Sequence, residues 1–223
     1  VDMLTTSATP IPRTLYMSLT GAKAISQLNE PPPGRRSIHT VVSEYSPKLI
    51  RRAIQAEIDR GGQVYFLHNH VRELETVQSQ LKTWFPDLRV RLGHGQMKPQ
   101  DLEDVMVSFY NHEFDVLLCT TIIENGLDIS NVNTIIINRA DRLGLSQIHQ
   151  IRGRVGRSSI QAYAYVFYPL ESDLTNEAQQ RLQVLKEAVG LGVGYQLAMK
   201  DLEIRGAGTL LGEKQSGHLT AIG

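Results

Sequence analysis

The chain has 223 residues, with 23 lysines and arginines balanced by 23 aspartates and glutamates, so its formal net charge is zero. That balance excludes a protein held on nucleic acid by bulk positive charge, and any such contact has to come from local patches and backbone amides. A single cysteine permits no internal disulfide and fits a reducing cytosol. No apolar run is long enough to span a membrane, and no basic-then-apolar signal opens the chain, so the expected location is the cytoplasm, without a membrane partner.

The first residues, Val1 to Arg13, lack a start methionine and begin inside an apolar strand pattern, which predicts a piece of something longer. Pro10 and Pro12 stop that strand. Glu30-Pro-Pro-Pro-Gly-Arg-Arg36 reads as a stiff linker. Strands and helices then alternate. Ile38 to Val42 is β-branched, and Ser46-Pro47 is a helix start with serine as cap and proline in the first turn. Ile50, Ile54 and Ile58 share one face of that helix, which Gly61-Gly62 ends. A strand over Val64 to Leu67, a helix carrying Val71, Leu74, Val77 and Leu81, and a short strand over Arg89 to Leu92 follow. Pro99 opens a helix with Leu102, Val105, Met106 and Phe109 on its apolar side.

Val116 to Cys119 and Thr134 to Ile137 are continuous apolar runs, as in a sheet covered on both faces. Tyr163 to Tyr168 closes the series. Repeated βα units predict an α/β fold with a mainly parallel sheet and helices on both faces. Beyond Pro169, helical spacing over Ala178 to Val189 and Tyr195 to Leu202, separated by Gly190 to Gly194, reads as a helical hairpin. A glycine-rich loop, Arg205 to Gly217, comes last.

Several clusters carry candidate chemistry. Gln150-Ile-Arg-Gly-Arg-Val-Gly-Arg157 sets three arginines beside two glycines, a pattern suited to gripping phosphate through two-pronged guanidinium contacts. A solvated basic helix end is the plain alternative. Thr120 and Thr121 stand at the C-terminal end of a strand, where open α/β sheets bind ligands, although threonines also simply cap strand ends. Gly126 would allow a tight turn, and Asp128 could accept a ribose hydroxyl or orient an arginine. Gly93-His-Gly-Gln-Met97 lies between strand and helix, where its amides could hold a phosphate.

His68 and His70 make a poor metal site, because no cysteine or carboxylate cluster accompanies them. Cys119 reads as a small buried strand residue, and Arg139 and Arg142 as surface charge. Gly206-Ala-Gly208 with Gly212 misses dinucleotide-binding spacing. No Gly-Lys-Ser/Thr phosphate loop and no acidic Mg²⁺-binding motif is present, so this chain alone is not expected to hydrolyse ATP.

The segments Asp115 to Ile129 and Gln150 to Arg157 resemble motifs V and VI of superfamily 2 helicases, and Ser7 to Thr14 resembles motif III. Asp201 to Gly208 with Gln215-Ser-Gly217 resembles the translocation motif shared by two bacterial families of double-stranded DNA translocase. One is the transcription-repair coupling factors, the other the fork-reversing RecG family. Gly62 to Tyr65, Cys119 to Glu124 and Gly153 to Ser158 are closer to the coupling factors.

The resemblance implies a RecA-like second motor lobe over 37–169, preceded by the end of a first lobe over 1–29 and a linker at 30–36. A translocation hairpin and loop would follow over 170–223. It further implies Arg154 and Arg157 as arginine fingers, with Gln150, Gly126 and Asp128 near ATP and Mg²⁺ held mainly by the first lobe. Asn69, Gln96, Thr120 and Thr121 would contact double-stranded DNA, with Lys98 a weaker candidate. Arg205 and Gln215 would couple lobe closure to movement, the alternative for Arg205 being an ion pair with Glu203 or Asp201. Arg152 departs from the finger role and is expected to bind DNA or pair with an acidic neighbour. In coupling factors the movement displaces stalled RNA polymerase and helps recruit the excision-repair damage-recognition protein, with other domains making those contacts. A RecG-like lobe acting on branched DNA and a non-catalytic nucleic-acid-binding module are the rival readings.

Overall fold

The computed structural model describes residues 36–122 and 129–187, together with Leu197, Lys200, Asp201, Glu203 and Ile204. In chain order the elements are β1 (His39–Glu44), α1 (Pro47–Asp59), β2 (Gln63–His68), α2 (Leu74–Trp84), β3 (Val90–Gly93) and α3 (Pro99–Tyr110). They continue with β4 (Val116–Cys119), β5 (Val132–Asn138), α4 (Leu145–Arg152), β6 (Tyr163–Tyr168) and α5 (Asn176–Glu187). The strands form one sheet in the order β1-β6-β5-β2-β4-β3, and every neighbouring pair is parallel.

Alternation along the strands explains the layering, since successive side chains point to opposite faces. Val64, Phe66, Val116, Leu118, Ile136 and Phe167 pack with Ile50, Ala53 and Ile54 of α1 and Leu74 and Leu81 of α2. The other set, including Tyr65, Leu67, Leu117, Cys119, Ile135, Ile137, Ala164 and Val166, packs with α3, α4 and α5. Both faces are therefore covered, as the continuous apolar runs predict. Phe109 of α3 anchors the second layer, with ring centroids 5.4 Å from Tyr65 and 4.9 Å from Phe114.

Local signals agree with these boundaries. Ser46 caps α1 by accepting from the Leu49 amide at 3.4 Å, Pro47 occupies the first turn, and Gly61 takes a φ of +70° just past the helix end. Gln63 is fully buried yet satisfied, donating to the carbonyls of Phe109 and Phe114 at 2.9 and 2.8 Å, which ties the end of α3 to the sheet. Val71, expected on the same helix as Leu74, lies instead in a 3-10 turn, Val71–Glu73, that leads into α2, and the 3-10 turns Ala140–Arg142 and Glu171–Asp173 have no periodicity in the sequence to announce them.

In the hairpin region, Leu197 joins the core and the Asp201 carboxylate accepts from the Leu145 amide at 3.2 Å, at the start of α4. The expected motif III, the linker at 30–36 up to Gly34 and Arg35, and the glycine-rich loop with Arg205 and Gln215 lie outside the described residues, as do Gly126 and Asp128. Among the described residues, no helix is long and apolar enough to cross a membrane.

Candidate nucleotide and nucleic-acid site

Because every strand runs the same way, the segments that follow β2, β4 and β3 share one edge of the sheet, and these three strands are neighbours. Asn69 follows β2, Thr120 and Thr121 follow β4, and the His94–Met97 turn follows β3. Two strand spacings separate the outer pair, about 10 Å. The four residues expected to contact DNA are therefore brought into one row by topology, although 51 residues separate Asn69 from Thr120 in the chain.

Exposure differs along that row. Asn69 and Gln96 are exposed, Thr121 is half-buried, and Thr120 is buried at 8%. The Thr120 amide donates to the Gly93 carbonyl at 3.2 Å, and the Met97 amide closes the β3 turn onto the His94 carbonyl at 3.1 Å. A side chain at Gly93 would press on Leu117 at 3.3 Å, so the leucine would have to shift by a few tenths of an ångström, while Gly95 faces open space except for Ile122 at 3.7 Å.

The arginine segment lies toward the opposite edge. Ser158 donates to the Asn133 side-chain oxygen at 2.9 Å, and Asn133 is the second residue of β5. Gly156 packs beside Ile38 and Ala162, the residues leading into β1 and β6. It holds a φ of +76°, and this left-handed turn immediately precedes Arg157, two residues after Arg154. Val155 between them is fully buried, which anchors the segment, while Arg154 stays half-exposed and Arg157 exposed. Gln150 is half-buried on α4, one residue before the buried Ile151. Guanidinium forks kept out of the core on a glycine turn are chemically suited to phosphate oxygens.

Arg152 corrects one expectation. It is buried at 6%, its Nη2 donates to His149 Nδ1 at 3.1 Å, and its Nη1 reaches Thr40 Oγ1 at 3.5 Å. Helical phase decides this. Arg152 lies one position after Ile151 and four after Ile148, both buried, so it faces the sheet and β1 rather than DNA. Burial pushes its pKa down from the ordinary arginine value. Arg139 is likewise no loose surface charge. It takes a φ of +57° and forms a two-pronged ion pair with Asp141 at 3.0 and 2.9 Å.

Glu73 and Asn138, neither singled out from sequence, gather around His68 at the ends of β2 and β5. His68 is buried at 3%, between Glu73 at 2.9 Å and Asn138 at 3.1 Å. Burial pushes the His68 pKa down, against the raising effect of Glu73. For Glu73, burial acts upward but is outweighed by the hydrogen bond from His68 and by the nearby His70 and Arg142, which hold the carboxyl below its usual range. Asn138 falls one residue beyond the sequence-predicted strand end, and a polar residue closing an apolar run was its only signal. Among the described residues, no group of three histidine, cysteine, aspartate or glutamate side chains is placed to hold a metal ion.

Residues 46–159 match the helicase conserved C-terminal domain family. The whole chain is 50% identical to a transcription-repair-coupling factor of Myxococcus xanthus, 51% to that of Escherichia coli and 51% to that of Bacillus subtilis. It spans only 19% of the length of each of these relatives. Among solved structures, the chain resembles RecG bound to a three-way DNA junction, with 30% identity, a TM-score of 0.73, and coverage of 91% of this chain and 27% of that one. The second domain of the DEAD-box helicase Mss116p, bound to an RNA duplex, shares the fold at 22% identity and a TM-score of 0.54, over 69% of this chain and 61% of that one. The sheet and its flanking helices are those of a RecA-like helicase C-terminal lobe.

Proposed function

Because this chain belongs to the helicase conserved C-terminal domain family, we propose that it is the second motor lobe of an ATP-dependent double-stranded DNA translocase of the transcription-repair coupling kind. The observation that carries the reading is the division of the sheet. A row of polar turns occupies the carboxyl edge of β2, β4 and β3, while an arginine pair kept out of the core lies toward the other edge.

In this reading Arg154 and Arg157 contact the polyphosphate of ATP bound mainly by a partner lobe, and Gln150, Gly126 and Asp128 lie beside the nucleotide. ATP, when bound, supplies the phosphoryl group whose hydrolysis powers the cycle, and Mg²⁺ belongs with the partner lobe. The two guanidinium groups stabilise the charge that develops on the phosphoryl oxygens, an effect worth about a thousandfold or more in rate. Asn69, Gln96, Thr120 and Thr121 hold the DNA backbone through hydrogen bonds that position the duplex without reading its sequence. Arg205 and Gln215 then transmit lobe closure to the duplex.

The full protein, on this reading, displaces RNA polymerase stalled at lesions and engages the excision-repair damage-recognition protein through other domains, in the bacterial cytoplasm. By itself the 223-residue lobe is inactive on ATP. The RecG likeness supports a second reading, action on branched DNA. Displacement of a stalled polymerase, set against unwinding of a three-way junction, separates the two in one pair of assays. A non-catalytic binding module is disfavoured, since the family match over residues 46–159 takes in both arginines of the motif VI resemblance.

The test is Arg157→Ala in the complete protein. DNA-stimulated ATP turnover is expected to fall about a thousandfold or more, with duplex affinity within about twofold of the parent. Unchanged turnover removes the arginine-finger role.

A further inference from the structure

Two histidines flank Asn69, and both turn onto a single carboxylate. His68 Nε2 lies 2.9 Å from Glu73 Oε2, and His70 Nδ1 lies 3.4 Å from Glu73 Oε1. On the far side of the His68 ring, Nδ1 lies 3.1 Å from the Asn138 side-chain nitrogen, and the Asn138 oxygen accepts from the Arg139 amide at 3.0 Å. A carboxylate only accepts and a side-chain amide nitrogen only donates. One arrangement satisfies every partner: Nε2–H donates to Glu73, and Nδ1 accepts from Asn138. The His68 ring is therefore neutral, in keeping with its burial.

We infer that Glu73, His68, His70 and Asn138 form a clamp that holds the turn carrying Asn69 in the geometry that meets the DNA backbone. This rests on the reading of Asn69 as a DNA contact. His68 is 3% exposed, so its ring is fixed between the strand neighbours of β2, whereas Asn69 is exposed. Pinning the residues on either side of an exposed side chain fixes its backbone while leaving the side chain free to bind.

Glu73 immediately precedes α2, so the same carboxylate ties the turn to the start of a packed helix. Asn138 ties it to the end of β5, where Arg139 grips Asp141 and the Asp141 carbonyl accepts from Arg181 of α5 at 3.0 Å. A turn ordered before DNA arrives loses less conformational freedom on binding, and the gain appears in affinity. These are positioning residues, since none of them needs to touch DNA.

The experiment uses the complete protein and a linear duplex, with ATP turnover measured as DNA concentration rises. Glu73→Ala suits it because the Glu73 side chain is about half exposed, at 51%, and its loss leaves the core intact. Loss of the clamp is expected to raise the half-saturating DNA concentration about fivefold, with maximal turnover within about twofold. Glu73→Gln keeps an acceptor for His68 and is expected to restore most of that affinity.

In an Asn69→Ala background, Glu73→Ala is expected to add nothing further, because both changes act through one contact. An unchanged half-saturating concentration in Glu73→Ala overturns the clamp, as does a full additional loss in the Asn69→Ala background. A fall in maximal turnover alone overturns it too. If Asn69→Ala itself leaves DNA response unaltered, the contact reading fails and the clamp with it. A shift in Asn69→Ala but not in Glu73→Ala removes the clamp alone.

Discussion

Gly156 and Gly61 form a natural pair for separating backbone strain from packing at the arginine segment. Both hold left-handed φ values, +76° and +70°, that an L side chain adopts at a penalty of about 1–2 kcal/mol. A Cβ at Gly61 meets nothing within 4 Å. A Cβ at Gly156 meets Ile38 Cγ1 at 3.1 Å and Ala162 Cβ at 3.3 Å, so its neighbours must give way by a few tenths of an ångström. Overpacking of this kind costs about 1–3 kcal/mol, toward the lower end here because Ile38 is only half-buried.

Gly61→Ala is thus expected to destabilise by about 1–2 kcal/mol and Gly156→Ala by about 2–4 kcal/mol. Urea titration reads this directly, since Trp84 is the single tryptophan of the chain. Relief of the strain at Gly156 moves the turn that spaces Arg154 from Arg157. A displacement approaching 1 Å costs up to about a hundredfold in turnover. In the complete protein, Gly156→Ala is therefore expected to lose at least about tenfold in ATP turnover, and Gly61→Ala to keep it. Equal turnover losses in the two variants, or parental stability in Gly156→Ala, refute the reasoning.

Two further outcomes are accessible. Cys119 is fully buried in β4 and burial pushes its thiol pKa up, so it is expected to resist a thiol reagent in the folded chain and react fully in urea; fast native labelling contradicts the burial. His68 has its pKa lowered in the fold, so its contribution is present above the ordinary histidine value of about 6.5 and fades as pH falls below it, when the unfolded chain binds the proton more readily. The urea midpoint is expected to drop between about pH 7 and about pH 5, and His68→Phe to flatten that drop; Glu73, held below the carboxylate range, adds its own loss only at lower pH.

The sequence by itself determined most of the strands and helices. β4 and β6 have the boundaries that their apolar runs predict, and α1 starts at the serine-proline signal, because strands buried on both faces and capped helices leave local marks in composition. The glycine-arginine pattern over 150–157 stood out as a candidate site for the same local reason: glycine turns and charged residues are legible one segment at a time.

Tertiary structure alone decided what lies beside what. Strand order gathered Asn69, Gln96 and Thr120 into one row and left the arginine pair toward the other edge, a result of long-range pairing that no window of sequence contains. It also buried Arg152 against Thr40, 112 residues away, although spacing alone made it look like its two arginine neighbours. The Glu73, His68 and Asn138 network was invisible for the same reason. A buried polar side chain is satisfied only by partners that folding delivers, and Asn138 reaches His68 through the pairing of β5 with β2.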